Sequence, residues 1–204
     1  MQEYVKINTI WKRDERGKIV EGDYAMPEFE FLKDCEWAWT EKVDGTNIRV
    51  GWDGETVTFG GRTDNAQIPA HLVNALREMF PAEKFAVFDG PVTLYGEGYG
   101  AKIQKGGGNY RPDQSFVLFD VQVGGWWLRR FDVESVARTV GIDVVPFVGY
   151  GSLGWGIDIV QRGLVSQWGE FAAEGLVGRP AVELFNRRGD RIITKIKARD
   201  FTAV

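Results

Sequence analysis

The sequence predicts an α+β fold with antiparallel sheets, and three observations lead to this prediction. Short stretches that alternate apolar and polar residues recur along the chain, as expected for strands with one buried face. Helical spacing of apolar residues occurs in fewer places. The strand-like and helix-like stretches do not alternate regularly, which argues against a doubly wound parallel sheet.

The strand-like stretches begin about forty residues into the chain. They are Trp37–Glu41, Asn47–Trp52, Thr56–Phe59, Val92–Tyr95, Ser115–Val121, Trp126–Arg130, Ala181–Phe185 and Arg191–Ile196. Turn residues such as Asp53-Gly54 and Arg188-Gly189-Asp190 separate some of them and indicate hairpins. Before the first of these strands, residues 11–18 have the composition of a charged hairpin.

Helices are predicted at about Pro69–Phe80, Val133–Val140 and Ile157–Phe171, with a shorter one over Pro27–Leu32. The only histidine, His71, lies within the Pro69–Phe80 pattern. We expect it to occupy an ordinary helix position and not a catalytic one. General acid–base chemistry would then depend on carboxylates and lysines.

Composition limits the class of protein. A chain of 204 residues with 44% hydrophobic and 26% charged residues is typical of a globular protein, and we expect residues 1–204 to form a single domain. No apolar stretch of about 18 residues and no signal-peptide pattern occurs, so neither a membrane span nor a membrane partner is expected. The single cysteine, Cys35, excludes an internal disulfide and a multi-cysteine zinc site. These observations favour a cytoplasmic protein.

The net charge of −4 argues against nucleic-acid binding, but one segment is locally basic. Between residues 186 and 200 the basic residues are Arg187, Arg188, Arg191, Lys195, Lys197 and Arg199, against the acidic Asp190 and Asp200. Such a run is either the solvated face of a strand or a surface that follows phosphates.

One short segment carries a candidate nucleophile. Residues 41–47, Glu-Lys-Val-Asp-Gly-Thr-Asn, lie between two predicted strands. A lysine at a strand end, followed by an acid and a glycine, suits a nucleophile in a pocket where the backbone turns sharply. Taken alone, the segment is better interpreted as a charged β-turn.

Four later segments offer further charged residues in strand contexts. Glu97 lies among glycines after a strand, and residues 116–121 offer aromatic rings and an acid. Glu174 also precedes a glycine and a strand. Lys195 and Lys197 are two residues apart and therefore share one face of a strand.

In this order, the five segments resemble motifs I, III, IIIa, IV and V of the covalent nucleotidyltransferases, which include ATP- and NAD-dependent ligases and mRNA capping enzymes. The resemblance covers about residues 37–200. Residues 41–47 are similar to the Glu-Lys-x-His-Gly-Thr-Asn signature of the RNA-ligase-2 and RNA-editing-ligase branch, and residues 61–63 and 103–106 resemble further segments of that branch. Asp44 departs from the signature, since aspartate at this position is typical of DNA ligases and capping enzymes.

The resemblance implies a nucleotidyltransferase domain with helices flanking its sheets, and an ATP-dependent RNA ligase that joins 5′-phosphate and 3′-hydroxyl ends through a lysyl-AMP intermediate. Lys42 would be the nucleophile. The resemblance further implies Lys195, Lys197 and Glu174 as catalytic residues, Glu41, Asn47, Arg62, Glu97, Phe119, Lys195 and Lys197 as ATP-binding residues, and Glu174 and Asp44 as ligands of Mg²⁺ or Mn²⁺. Phe119 would stack on adenine, while Phe116 would point to the other face of its strand.

Two alternatives remain open at this stage. A minimal ATP-dependent DNA ligase is favoured by Asp44 and disfavoured by Thr46 and Asn47. A nucleotide-binding or scaffolding protein without turnover would keep the fold alone. Few residues follow Lys197, so we expect no OB-fold in this sequence and allow for a protein partner that clamps the RNA, the nicked duplex or the DNA.

Overall fold

The computed structural model describes residues 1–201 and confirms an α+β fold with antiparallel and mixed sheets. The strands are β1 (Asn8–Thr9), β2 (Trp11–Arg13), β3 (Ile19–Tyr24), β4 (Trp37–Glu41), β5 (Thr46–Trp52), β6 (Val57–Gly61), β7 (Val92–Gly100), β8 (Gln114–Val123), β9 (Trp126–Trp127), β10 (Asp143–Val144), β11 (Phe147–Gly151), β12 (Gly175–Pro180) and β13 (Thr194–Lys197). The α-helices are α1 (Pro27–Phe31), α2 (Ala70–Met79), α3 (Arg130–Val140) and α4 (Leu153–Gln161). Short 3₁₀ turns occur at Ala82–Lys84, Gly107–Asn109 and Ala198–Asp200.

The described chain forms two compact units. The first unit comprises residues 1–4 and 44–145, and the second comprises residues 5–43 and the described residues from 146 onward. The chain therefore passes from the second unit to the first between Val43 and Asp44, directly after the candidate nucleophile. The prediction of one domain over residues 1–204 stays a prediction.

The first unit is built on a six-stranded sheet with the order β10-β8-β7-β5-β6, and β9 pairs with β8. All neighbouring strands are antiparallel except β10 and β8. Apolar side chains on one face, such as Ile48 and Leu94, form a core with Leu72 and Leu76 of α2 and Val133 of α3. The period-two pattern of the sequence thus buries one face of this sheet under two amphipathic helices.

The second unit contains a five-stranded sheet with the order β1-β13-β12-β4-β11, and β2 and β3 form a separate hairpin. Strand β12 runs antiparallel to both of its neighbours, β4 and β13. Trp37 and Trp39 are fully buried in a core that includes Leu153 and Val160 of α4. Strand β12 lies between β4 and β13, so residues at the end of β4 and residues of β13 lie on either side of it.

Several predicted elements are shorter in the structure or absent from it. The strand predicted over Ala181–Phe185 is wrong, because these residues form only an isolated bridge between Phe185 and Arg191. The helix predicted over Ile157–Phe171 ends at Gln161, because Gly163 adopts a left-handed φ of +91° that an α-helix cannot contain. The strand predicted over Trp126–Arg130 ends at Trp127, and Arg130 already begins α3. The hairpin predicted at residues 11–18 is confirmed by β2 and β3.

The sequence predicted neither a membrane span nor an OB-fold, and both predictions can be compared with residues 1–201. Within residues 1–201, every helix is too short or too polar to cross a bilayer. No OB-fold is found in the same range. His71 lies in α2 on its solvent-exposed side, as expected for an ordinary helix position.

Candidate active site

The sheet of the second unit explains why Lys42, Glu174, Lys195 and Lys197 lie together although they are distant in sequence. Strand β12 pairs with the end of β4 on one side and with β13 on the other. The backbone N–H of Lys42 donates to the carbonyl of Gly175 at 2.9 Å, which holds the end of β4 beside the start of β12. Glu174 immediately precedes that start, so its side chain lies next to Lys42.

One carboxylate bridges two of the lysines. Lys42 Nζ lies 2.5 Å from Glu174 Oε2, and Lys197 Nζ lies 3.2 Å from Glu174 Oε1. All three side chains are less than one fifth exposed, since their relative exposures are 19%, 17% and 16% for Lys42, Glu174 and Lys197. At such burial these charges interact more strongly than pairs at the surface do.

Lys195 adds a third ammonium group to this cluster. Lys195 and Lys197 alternate with the buried Thr194 and Ile196 along β13, so both lysines project from one face, as predicted. Burial lowers the pKa of Lys195 from 10.5 to about 8, with further lowering by Lys197 and Lys42 and an opposing effect of Glu174. Three lysines thus share one carboxylate, an excess of positive charge that suits a polyanionic ligand such as a triphosphate.

Glu41, the residue before Lys42, is buried and hydrogen-bonded at both carboxylate oxygens. Ser166 Oγ donates to Oε1 at 2.6 Å, and the backbone N–H of Gln167 donates to Oε2 at 2.8 Å. The loop that follows α4 is therefore fastened to the strand that carries Lys42. Sequence reasoning missed Ser166 and Gln167, because residues more than a hundred positions away leave no periodic signal. The ATP-binding role of Glu41 stays a prediction.

In the first unit, Asn47 and Glu97 face each other across β5 and β7. The side-chain oxygen of Asn47 is buried, and no described residue hydrogen-bonds to it. A buried amide oxygen without a partner costs about 1–3 kcal/mol. This orphaned acceptor therefore fits a ligand hydroxyl such as that of a ribose. The structure brings these two predicted residues together.

Arg62 and Phe119 belong to the same unit and both adjoin its N-terminal segment. The backbone N–H of Tyr4 donates to the carbonyl of Arg62 at 3.1 Å, and the Tyr4 ring packs edge-on against Phe119 with centroids 5.1 Å apart. A bulge in β8 places Phe119 between two paired residues, so its ring remains partly exposed. Phe116 is buried in the core, as expected for the other face.

The two predicted metal ligands, Glu174 and Asp44, lie in different units. Within residues 1–201, no group of three or more histidine, cysteine or acidic side chains could hold a metal ion by itself. Carboxylates are nevertheless the donors that Mg²⁺ and Mn²⁺ prefer, and Mg²⁺ commonly binds through one or two carboxylates with phosphates and water completing the shell. The residues present therefore fit a metal that arrives with a nucleotide.

The basic run divides into three groups. Lys195 and Lys197 belong to the cluster described above. Arg191 is buried and binds Glu183 through both oxygens, at 2.6 and 2.9 Å, so its placement on a phosphate-following surface is wrong. Arg187, Arg188 and Arg199 are exposed.

Comparison with solved structures defines the class. The architecture is the nucleotidyltransferase-type fold of RNA ligases, as in three structures of Naegleria gruberi RNA ligase variants. Two of these contain ATP and Mn. One has a TM-score of 0.69 and 19% identity, and the match covers 96% of this chain and 61% of that structure. The other has a TM-score of 0.68 and 18% identity, and the match covers 86% of this chain and 53% of that structure. The third contains AMP and Mn, with a TM-score of 0.67, 17% identity, and coverage of 97% of this chain and 62% of its own. The chain thus spans little more than half the length of these structures.

The family follows from the sequence itself. The RNA ligase family profile matches residues 35–197, and the chain belongs to the RNA ligase family. No curated protein matches the sequence significantly.

Proposed function

We propose that the protein is an ATP-dependent RNA ligase that joins a 5′-phosphate end to a 3′-hydroxyl end through a covalent lysyl-AMP intermediate. The observation that carries the proposal is the position of Lys42 in a cluster with Glu174, Lys195 and Lys197, in a chain of the RNA ligase family. The Naegleria gruberi structures that contain ATP or AMP with Mn support ATP as the AMP donor.

In the first step, Lys42 Nζ attacks the α-phosphorus of ATP. An N–P bond forms, the P–O bond to pyrophosphate breaks, and AMP remains on Lys42. The attacking nitrogen must lose a proton, and Glu174 Oε2, which lies 2.5 Å away, would receive it. AMP then passes to the 5′-phosphate of one end, and the 3′-hydroxyl of the other end displaces it.

Lys195 and Lys197 would hold the phosphates and offset the negative charge that grows on the departing pyrophosphate. Lys195 needs its proton for this role, and its pKa of about 8 keeps it mostly charged at pH 7. A divalent cation, Mg²⁺ or Mn²⁺, would be held by Glu174 or Asp44 with phosphate oxygens and water, and would withdraw further charge from the phosphates.

For nucleoside binding we propose the residues of the first unit. Glu97 and Asn47, with Arg62, would bind the ribose, and Phe119 would stack on adenine. The unsatisfied oxygen of Asn47 supports this assignment, since a ribose hydroxyl would satisfy it. Glu41 would contribute to ATP binding indirectly, by fixing the end of β4 from which Lys42 projects.

We further propose that the protein belongs to the RNA-ligase-2 and RNA-editing-ligase branch and acts in the cytoplasm as a single catalytic domain. Thr46 and Asn47 support the branch, and the family match across residues 35–197 includes parts of both units. The proposal includes a protein partner that clamps the RNA. Asp44 supports the second candidate function, a minimal DNA ligase.

The proposal is tested by incubating the protein with labelled ATP, GTP or NAD⁺ and Mg²⁺, followed by denaturing electrophoresis. We expect label from ATP in an adduct that is labile in acid and stable in alkali, as a phosphoramidate is, and no label in Lys42→Ala. Lys33→Ala is the matched control, because Lys33 is exposed in the same unit. Label that persists in Lys42→Ala, or that comes from GTP alone, would contradict the assignment.

A sealing assay with the same protein distinguishes RNA from DNA as its substrate. Matched nicked duplexes and single strands differ only in whether the terminal 3′-hydroxyl nucleotides are ribo or deoxy. We expect much slower sealing of the deoxy ends, because the 2′-hydroxyl lets a protein distinguish the two sugars. Equal rates on an all-DNA nick would favour the minimal DNA ligase.

A further inference from the structure

A hairpin in the second unit, residues 183–191, presents two arginines that the proposed chemistry does not use. Phe185 and Arg191 pair across its arms, and the backbone N–H of Ile192 donates to Leu184 O at 3.0 Å. The hairpin leads directly into β13, which carries Lys195 and Lys197. It therefore belongs to the same unit as the lysine cluster.

Asn186 fixes the conformation of the hairpin tip. Its side-chain oxygen accepts hydrogen bonds from the backbone N–H groups of Arg188 and Asp190, both at 2.9 Å. Its side-chain nitrogen donates to Asp190 Oδ2 at 3.1 Å, and its backbone N–H donates to Asp190 O at 2.8 Å. A turn held by this many local bonds loses little further conformational entropy when a ligand binds.

The charges of the hairpin are divided between its base and its tip. At the base, Glu183 and Arg191 neutralise each other in a bidentate pair, and the Arg191 side chain is only 3% exposed. At the tip, Arg187 and Arg188 are exposed, and neither side chain has a hydrogen-bond or ion-pair partner in residues 1–201. Asp190, the remaining acid, is engaged by Asn186. Two guanidinium groups are thus left available for an external anion.

An exposed aromatic ring lies directly before the tip. Phe185 is 52% exposed, although its cross-strand neighbour Arg191 is buried. Exposed aromatic rings next to free basic groups are the combination that binds single-stranded nucleic acid, because bases stack on the ring while phosphates meet the guanidinium groups. A surface for an acidic protein would use the arginines but would have no need of stacking.

We propose that the 183–191 hairpin is a docking element for the RNA strand, in which Arg187 and Arg188 bind phosphates of the backbone and Phe185 stacks on a base. This proposal rests on the proposed RNA ligase function and assigns a substrate contact outside the nucleotide-binding motifs. The arginines supply sequence-independent affinity, and the ring orients the strand.

The test measures binding of a fluorescent single-stranded RNA oligonucleotide at several salt concentrations. Arg187→Ala/Arg188→Ala should reduce the slope of log K against log salt by about 1.4, since each phosphate contact with a single strand contributes about 0.7. If the electrostatic contribution vanishes at about 1 M salt, the same slope change corresponds to about 65-fold weaker binding at about 50 mM salt. Phe185→Ala should weaken binding by about tenfold and leave the slope unchanged.

The matched control is Arg16→Ala/Lys18→Ala, which removes two exposed positive charges from the turn between β2 and β3 in the same unit. It should retain RNA binding, and all variants should keep the thermal midpoint of the wild type. Wild-type affinity and slope in Arg187→Ala/Arg188→Ala, or an equal loss in the control, would overturn the proposal. So would arginine-dependent binding of polyglutamate without any effect on RNA, which would indicate an acidic protein partner.

Adduct formation on Lys42 separates this proposal from the proposed function. Labelling with ATP requires no RNA, so the loss expected in Arg187→Ala/Arg188→Ala is confined to RNA binding and sealing. Absence of the adduct in the wild type would refute the ligase function. An adduct together with unimpaired RNA binding by the double variant would refute the hairpin alone.

Discussion

Replacing Lys195 by methionine should stabilise the fold while impairing adduct formation. In the folded protein the pKa of Lys195 is about 8, below its ordinary 10.5, because burial and the neighbouring Lys197 and Lys42 disfavour the ammonium form. At about 1.4 kcal/mol per pH unit this lowering corresponds to about 3 kcal/mol, and screening at a half-buried side chain reduces it to about 1–2 kcal/mol. The midpoint of thermal unfolding at pH 7 should therefore rise by about 2–8 °C.

The pH dependence of this gain has a definite sign. Below pH 8 the lysine is charged in both the folded and the unfolded state, so the full cost is present and Lys195→Met is the more stable protein. Between pH 8 and 10.5 the folded lysine becomes neutral first, and the advantage of the variant should disappear. Glu174 keeps Lys42 and Lys197 as partners, so no buried carboxylate is left alone.

The assay is thermal unfolding of wild type, Lys195→Met and Lys33→Met at pH 7, 8, 9 and 10.5. Lys33 is exposed, and its replacement should change the midpoint little at any pH. Lys195→Met should also slow adduct formation by about a hundredfold, the scale of losing one electrostatic stabiliser. A variant less stable than wild type at pH 7, or a difference that does not change with pH, would refute the reasoning.

Two further predictions concern the packing that supports the site. Ser166→Ala removes the donor to one oxygen of the buried Glu41 carboxylate, 2.6 Å away, and should lower the free energy of unfolding in urea by about 1–3 kcal/mol. An unchanged free energy of unfolding would mean that this hydrogen bond does not stabilise the fold. Gly178→Ala places a methyl group against the fully buried Trp39 ring and should lower the free energy of unfolding by about 1–3 kcal/mol in the same assay. Gly108→Ala is the control, because Gly108 has open space around it, and it should leave the free energy of unfolding unchanged. Equal effects of the two substitutions would contradict the steric argument.

The fold was predictable where burial alone decides the pattern. Trp37–Glu41 alternates buried and partly buried residues, and the predicted strand has the same bounds as β4. The prediction of a helix failed where apolar residues lie in a loop. The apolar residues after Gly163 continue the spacing of α4, but the positive φ of that glycine ends the helix, and Ser166 then bonds to Glu41 instead of lying on a helix face.

The lysine cluster was predictable only through motif resemblance. Spacing places Lys195 and Lys197 on one face of a strand, but the pairing of β4 and β13 with β12 brings them to Lys42, and no local pattern encodes that pairing. Arg191 illustrates the reverse error. Its charge suggested an exposed surface, whereas its bidentate contact with Glu183 allows the guanidinium to be buried.

The cost of Lys195 and its proposed role both arise from a buried charge among like charges. Burial disfavours the charged form of Lys195 most, and the neighbouring Lys197 and Lys42 add to this effect, while Glu174 opposes it. A protein selected for stability alone would replace such a lysine, as its predicted gain on replacement indicates. A bound triphosphate would supply the missing negative charge and favour the protonated lysine, so ATP binding and the charge of Lys195 would reinforce each other. The unfavourable charge of the free site is therefore the property that would make it selective for a polyanionic nucleotide.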